Sequence, residues 1–155
     1  MNKQTSQKKY IKKMKKTALI TGASSGIGEE FAKIHAEKRG NLIMVARSEN
    51  KLNELKKELE VRYKIDVFVI AKDLTEKNAT REVYEEIKNA GLKVDYLINN
   101  AGFGGIGKFN ERDLEQDIAM INLNISALTS LTHYFLQDFI KNNEGKIKEY
   151  KYHCY

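Results

Sequence analysis

Residues Thr21-Gly22-Ala23-Ser24-Ser25-Gly26-Ile27-Gly28 set three glycines and two serines directly after a short apolar run, Thr17-Ala18-Leu19-Ile20. A loop of this kind, joining a strand to a helix, aims backbone N–H groups and the positive helix end at one point, and that suits a pyrophosphate. Glycine serves where the chain turns sharply and where a side chain would block the phosphate or the helix–strand contact. Gly22-Ala23-Ser24-Ser25-Gly26 also satisfies Gly-x-Ser-x-Gly, the turn that presents the nucleophile of serine hydrolases, with Ser24 as the hydroxyl. The position argues against hydrolysis. That turn follows several strands in a hydrolase, whereas this one follows the first strand and leaves only His133 and His153 as later bases. His133 falls in mid-helix, where a partly buried, non-catalytic histidine is the commoner outcome. No lysine follows Gly28, so a kinase- or ATPase-type phosphate loop is excluded, and the dispersed His35, His133, His153 and Cys154 offer no metal-ligand spacing.

The elements that must hold these residues follow from apolar periodicity. Thr17 to Thr21 reads as a strand, and Ile27, Phe31 and Ile34 recur at helical spacing up to Gly40, which stops the helix. Leu42 to Ala46 is a second strand, and Leu52, Leu55 and Leu59 stripe a second helix. Asp66 to Ala71 is a third strand, a helix carries Val83 and Ile87, and Val94 to Asn99 is a fourth strand. Nearly continuous apolar strands alternating with helices predict an α/β fold, a Rossmann-like doubly wound parallel sheet with helices on both faces. A long helical stretch from about Glu111 to Lys141 would turn Ile118, Ile121, Ile125, Leu128, Leu131, Phe135 and Phe139 inward. In such a fold Arg47, just past the second strand, lies where an adenosine ribose would sit. NAD asks for Asp or Glu there, while a guanidinium suits a 2′-phosphate and points to NADP. Arg47 otherwise reads as a surface arginine at a helix start. Asp73, after the third strand, suits an adenine amine and equally suits capping the next helix.

At 155 residues the chain has room for one domain. Of its net +6, seven lysines lie in residues 1–16, which hold no acid, so residues 17–155 are one charge short of neutral. The basic character therefore belongs to an expected disordered arm, residues 1–14, and not to a nucleic-acid-binding body. A hydrophobic content of 41% against 31% charged excludes a disordered chain, and no apolar run approaches a membrane span. One cysteine excludes a disulfide framework and fits the cytoplasm.

Taken together these residues resemble the short-chain dehydrogenase/reductase family. Thr21 to Gly28 is similar to its cofactor signature, Asn99-Asn100-Ala101-Gly102 matches its sheet-stabilising motif, and Ile121-Asn122-Leu123-Asn124-Ile125-Ser126-Ala127 is similar to the segment carrying its active-site asparagine. The pattern Asn-x-x-small favours Asn124 for that role, with Asn122 as the other assignment. The resemblance, from about Lys15 to Ile147, implies a nicotinamide cofactor and hydride transfer to or from a carbonyl or alcohol carbon of a small molecule. It implies cofactor contacts at Gly22, Ala23, Ser24, Ser25, Gly26, Ile27, Gly28, Arg47, Asp73, Asn100, Ala101 and Gly102. It also implies a homo-oligomer.

The family's chemistry further needs a Ser ending the fifth strand and a Tyr-x-x-x-Lys on the next helix, the Tyr acting as general acid or base. Here Tyr-x-x-x-Lys occurs as Tyr84-Glu85-Glu86-Ile87-Lys88, between the third and fourth strands, where a surface position is expected. Gly145-Lys146-Ile147 is similar to the entry to the fifth strand, but a strand buried on both faces cannot accept Lys148, Glu149 and Lys151 without unpaired buried charge. The expectation is an NADP-binding domain over residues 15–147, incomplete on its C-terminal side, followed by an aberrant tail, residues 148–155, from truncation or a frameshift. The outer edge of the fourth strand would then be open and the stability low. A non-enzymatic NADP-binding or interaction module is the alternative.

Overall fold

A computed structural model describes residues 15–150; the expected basic arm and residues 151–155 of the tail lie outside the described residues. Five strands, β1 (Thr17–Thr21), β2 (Asn41–Ala46), β3 (Val67–Ala71), β4 (Tyr96–Asn99) and β5 (Lys146–Glu149), form one parallel sheet in the order β3-β2-β1-β4-β5. The chain winds outward from β1 to β3, then crosses back over β1 to lay down β4. The strand order thus reverses between β1 and β4, and a crevice opens at their carboxyl ends.

Alternation along the strands divides the core in two. Ala18, Ile20, Leu42, Met44 and Val67 meet Ala32 and Ala36 of α1 (Gly26–Glu37) and Leu52, Leu55 and Leu59 of α2 (Glu49–Tyr63). On the other face Leu19, Ile43, Val45, Ile70 and Leu97 meet Val83 and Ile87 of α3 (Ala79–Asn89). The same layer takes Leu131, Phe135 and Phe139 of α5 (Leu128–Asn142). Both faces of β2 are sealed from Leu42 to Ala46, which is why that run is apolar without a break.

Helix α1 corrects the sequence reading. Its buried face is Gly28, Ala32 and Ala36, small residues that let the helix lie close to the sheet, while Ile27 and Ile34 are 54% and 47% exposed. Only Phe31 of that expected stripe finds a partner, Tyr150, at 4.4 Å between ring centroids. Nor does Gly40 end the helix. Arg39 takes the left-handed turn (φ 61°), and Gly40 instead leaves room for the His35 ring. His35 Nε2 lies 3.0 Å from the Lys16 carbonyl, and burial holds the imidazole below its ordinary pKa.

The expected single helix from Glu111 to Lys141 is four pieces. A short 3₁₀ turn (Phe109–Glu111) precedes α4 (Leu114–Ile121), and a π-helical turn (Asn122–Ala127) joins α4 to α5. The π turn breaks the phase of the apolar stripe. Leu131, Phe135 and Phe139 are buried, but Ile118, Ile121 and Ile125 are exposed.

Lys148 and Glu149 lie in a strand that is not buried on both faces, and the expectation of an open outer edge on the fourth strand is overturned. β5 pairs with β4 in the register Tyr96↔Lys146 to Asn99↔Glu149, so the outer side of β4 is covered. β5 is one of the two edge strands of the described sheet, and only Ile147 of it reaches the core; Lys146, Lys148 and Glu149 stay exposed and incur no burial cost. At the amino ends of the strands, buried Asp95 accepts from the Thr17 N–H at 2.9 Å and pairs with Lys16 and Lys93. Both lysines also hold Glu144, whose carboxyl is drawn down to about 2 by their hydrogen bonds.

Candidate functional site

At the carboxyl ends of β1, β2, β3 and β4 lies a cleft of about 390 Å³. Gly22, Ser24 and Ser25 form one wall, Arg47 and Ser48 the rim beyond β2, Asp73 to Thr75 the rim beyond β3, and Asn100 to Phe103 the side beyond β4. Ala23 is fully buried beneath, whereas Gly26, Ile27 and Gly28 open α1. Gly22 is fixed by two demands: its φ is +68°, and a Cβ there would sit 2.9 Å from the Ala101 Cα. A Cβ on Gly28 would run into the Gly22 carbonyl.

Thr21 and Asn100 lace the two Gly-bearing loops together. The Thr21 hydroxyl oxygen accepts from the Asn100 and Ala101 N–H groups, each at 3.0 Å. Asn100 Nδ2 in turn donates to the Thr21 carbonyl at 3.0 Å and the Gly22 carbonyl at 3.3 Å. Asn99, next along β4, donates to the Thr132 hydroxyl at 2.9 Å and so ties the sheet to α5. Thr21, Asn99 and Asn100 are buried, so these bonds fix the cleft wall, although the amide oxygens of both asparagines have no hydrogen-bond partner there.

Charge gathers at the far rim. Arg47 is 76% exposed and lies 3.9 Å from Asp73. Asp73 does not cap α3, whose N-cap is Asn78. Its Oδ1 accepts from the Thr75 N–H and hydroxyl at 2.9 and 2.8 Å, closing a turn that shapes the rim. Asn124 stands in the π turn, where Nδ2 donates to the Phe103 carbonyl at 2.8 Å and Oδ1 accepts from the Phe103 N–H at 3.1 Å. It therefore anchors the loop that lines the cleft without lining it itself.

Phe103, Leu123, Ser48, Lys51, Lys72 and Thr75 also line the cleft, and sequence reasoning missed them. The spacing of Lys51 from Arg47, one helical turn, was a signal for the first-turn lysine; nothing local marks Leu123. Among the described residues no histidine lines the cleft near Ser24, and His133 is exposed on α5. No group of three His, Cys, Asp or Glu among the described residues could hold a metal. No described helix is long and apolar enough to cross a membrane.

Lys88 is exposed and Tyr84 half-buried, in keeping with the expected surface position, and there they clasp α3 to α5. The Tyr84 hydroxyl donates to Asp138 at 3.1 Å, Lys88 pairs with the same carboxylate at 3.1 Å, and Tyr84 stacks on Tyr134. Burial, then Asp138, raises the Tyr84 pKa, opposite to what a catalytic base requires.

A doubly wound parallel sheet with a glycine-lined crevice at its switch point is a Rossmann-like α/β fold. The short chain dehydrogenase family profile matches residues 16–148, and the chain belongs to that family. The chain is 35% identical over 137 residues to an NADP-dependent 3-hydroxy acid dehydrogenase of Schizosaccharomyces pombe, covering 85% of this chain and 52% of the relative. It is 47% identical over 97 residues to a very-long-chain 3-oxoacyl-CoA reductase of Kluyveromyces lactis, covering 61% of this chain and 28% of the relative. Among solved structures it resembles a short-chain dehydrogenase from Sphingobium yanoikuyae in complex with NADPH. That match has TM-score 0.82 and 33% identity, over 86% of this chain and 52% of the other. The chain thus spans about half the length, or less, of the relatives it matches.

Proposed function

We propose that this chain binds NADP(H) in the cleft between the Gly22 loop and the Asn100 loop, as the cofactor-holding part of an oxidoreductase acting on a small carbonyl or alcohol. The residues present fit such a group. A Cβ on Gly22 would close the loop junction, while one on Gly26 would meet nothing within 4 Å, so the loop is open at Gly26, next to the Ser24 and Ser25 that line the cleft. When bound, a nicotinamide supplies a hydride to a carbonyl carbon or takes one from an alcohol carbon.

The chain's own residues bind and orient. The Gly22 and Ala23 N–H groups are held by the Val45 carbonyl, at 2.8 and 3.4 Å, and shape the turn, while Ser24, Ser25, Gly26, Ile27 and Gly28 offer N–H groups and hydroxyls to the pyrophosphate at the start of α1. Arg47 meets a ribose 2′-phosphate, Asp73 accepts from an adenine amine, and Asn100, Ala101 and Gly102 form the floor. Asn124 keeps Phe103 against the cleft. The observation that carries the reading is Arg47 on the rim of the same cleft that the glycine loop walls.

A second reading, binding without turnover by these residues alone, is favoured by the Tyr84–Lys88 clasp, which is remote in role from the cleft. Parallel titration with NADPH and NADH, followed by nicotinamide fluorescence and melting temperature, tests the proposal. NADPH raising the melting temperature more than NADH supports it; no response to either overturns it. Carbonyl reduction by the same sample would overturn the second reading.

A further inference from the structure

The cleft rim is short of positive charge for the group it is proposed to meet. A phosphomonoester carries about −1.5 to −2 at neutral pH. Arg47 supplies one positive charge, but Asp73 stands 3.9 Å away and offsets it. Lys72 lines the same rim, yet its ammonium is held by Glu82 at 2.8 Å. Lys51 also lines the cleft, is exposed, and has no ion-pair partner among the described residues.

Resting on the NADP(H) reading above, we infer that Lys51, in the first turn of α2, is the second cation for the 2′-phosphate and sets the preference for the phosphorylated dinucleotide. Helical side chains lean toward the helix N-terminus, so a residue three beyond the N-cap Ser48 leans back over the Arg47 rim. The Ser48 hydroxyl makes no capping bond and lines the same cleft, leaving it open to the same anion. Lys51 is also locally the wrong residue. The first turn of a helix favours acids, and a cation there opposes the helix dipole. A locally unfavourable charge beside a cleft is what an anion-binding role explains.

The test uses the 155-residue chain with Lys51→Met, Lys51→Glu and, as a control further along α2, Lys57→Met. Each is titrated with NADPH and with NADH at low and moderate salt. Lys51→Glu is expected to weaken NADPH by about tenfold or more, and Lys51→Met by several-fold. NADH affinity should stay within about twofold in both, and Lys57→Met should change neither by more than that. The nucleotide-free melting temperature of Lys51→Glu should not fall, because the substitution suits the helix dipole; a purely structural lysine would show the reverse. Equal weakening of NADPH and NADH, or unchanged NADPH affinity, overturns the inference while a wild-type preference for NADPH leaves the parent reading standing. A wild-type chain that binds neither nucleotide overturns the parent reading, and this one with it.

Discussion

The β1–β2–β3 side of the sheet and the β4–β5 side are built to different standards of closure. On the first, Leu42, Ile43, Met44 and Val45 are essentially without solvent exposure: α1 and α2 seat on Leu42 and Met44 through small residues and leucines, and the α3–α5 layer covers Ile43 and Val45. On the second, β5 buries little beyond part of Ile147, and Leu114, Ile118, Ile121 and Ile125 stand in solvent. The glycine loop, Arg47 and Asp73 all issue from the closed side. A nucleotide site needs fixed backbone donors, and a sheet sealed on both faces provides them.

The sharpest way to break this contrast is a pair of truncations. Met44→Ala should cost about 2–5 kcal/mol, while Ile125→Ala should stay within about 0.5 kcal/mol of wild type, both read from urea midpoints. Similar losses at the two positions would mean that the exposed stripe carries stability after all. Next in size is Thr21→Val at the seam between the sides. It removes the acceptor for two N–H groups, should cost about 1–3 kcal/mol, and should weaken NADPH binding with it. A stable variant with unaltered binding would show the lacing to be incidental.

Tyr84→Phe, within the α3–α5 layer, should cost about 1 kcal/mol and leave nucleotide affinity unchanged. Weakened nucleotide binding in that variant would contradict its purely clasping role. The smallest effect concerns His35, where the amino end of β1 meets α1. Burial holds its folded pKa below the ordinary 6.5, so the unfolded chain takes up the proton first as pH falls. Its contribution is complete above about pH 6.5 and declines below that. Thermal melts from pH 7.5 to 5 should show a decline that is shallower in His35→Gln; parallel slopes would exclude it.

The closed side was the legible side. Strand two read correctly because burial on both faces leaves the unbroken run Leu42 to Ala46, strand three because Val67 to Ala71 is apolar throughout although Phe68 and Val69 are only half-buried, and Leu52, Leu55 and Leu59 fall where α2 packs. Gly22 to Gly28 and Asn99 to Gly102 could be placed because backbone geometry constrains their residue types. Where reading failed, the signal was not local. Large aliphatics at helical spacing marked the wrong face of α1, because close approach to the sheet selected Gly28, Ala32 and Ala36 instead. Lys148 and Glu149 seemed to forbid a strand only if it were buried on both faces; an edge strand imposes no such condition. Asn124 was singled out by pattern for an active-site role; what the structure gives it is the Phe103 backbone, 21 residues away in sequence, a pairing set by tertiary geometry alone.

The π turn at Asn122–Ala127 has a consequence for how the length of this helix can vary. A π turn holds one residue more than the α turn it replaces, so α4 and α5 amount to one α-helix with a single inserted residue. Each residue of an α-helix advances about 100°, and the insertion offsets the two halves by about that angle. Deleting one residue here would restore a regular helix and swing one half out of place. Either Asp117 would leave its buried position, or Leu131, Phe135 and Phe139 would leave the core. Side chains on the exposed face are free to change; the number of residues between Asp117 and Leu131 is not.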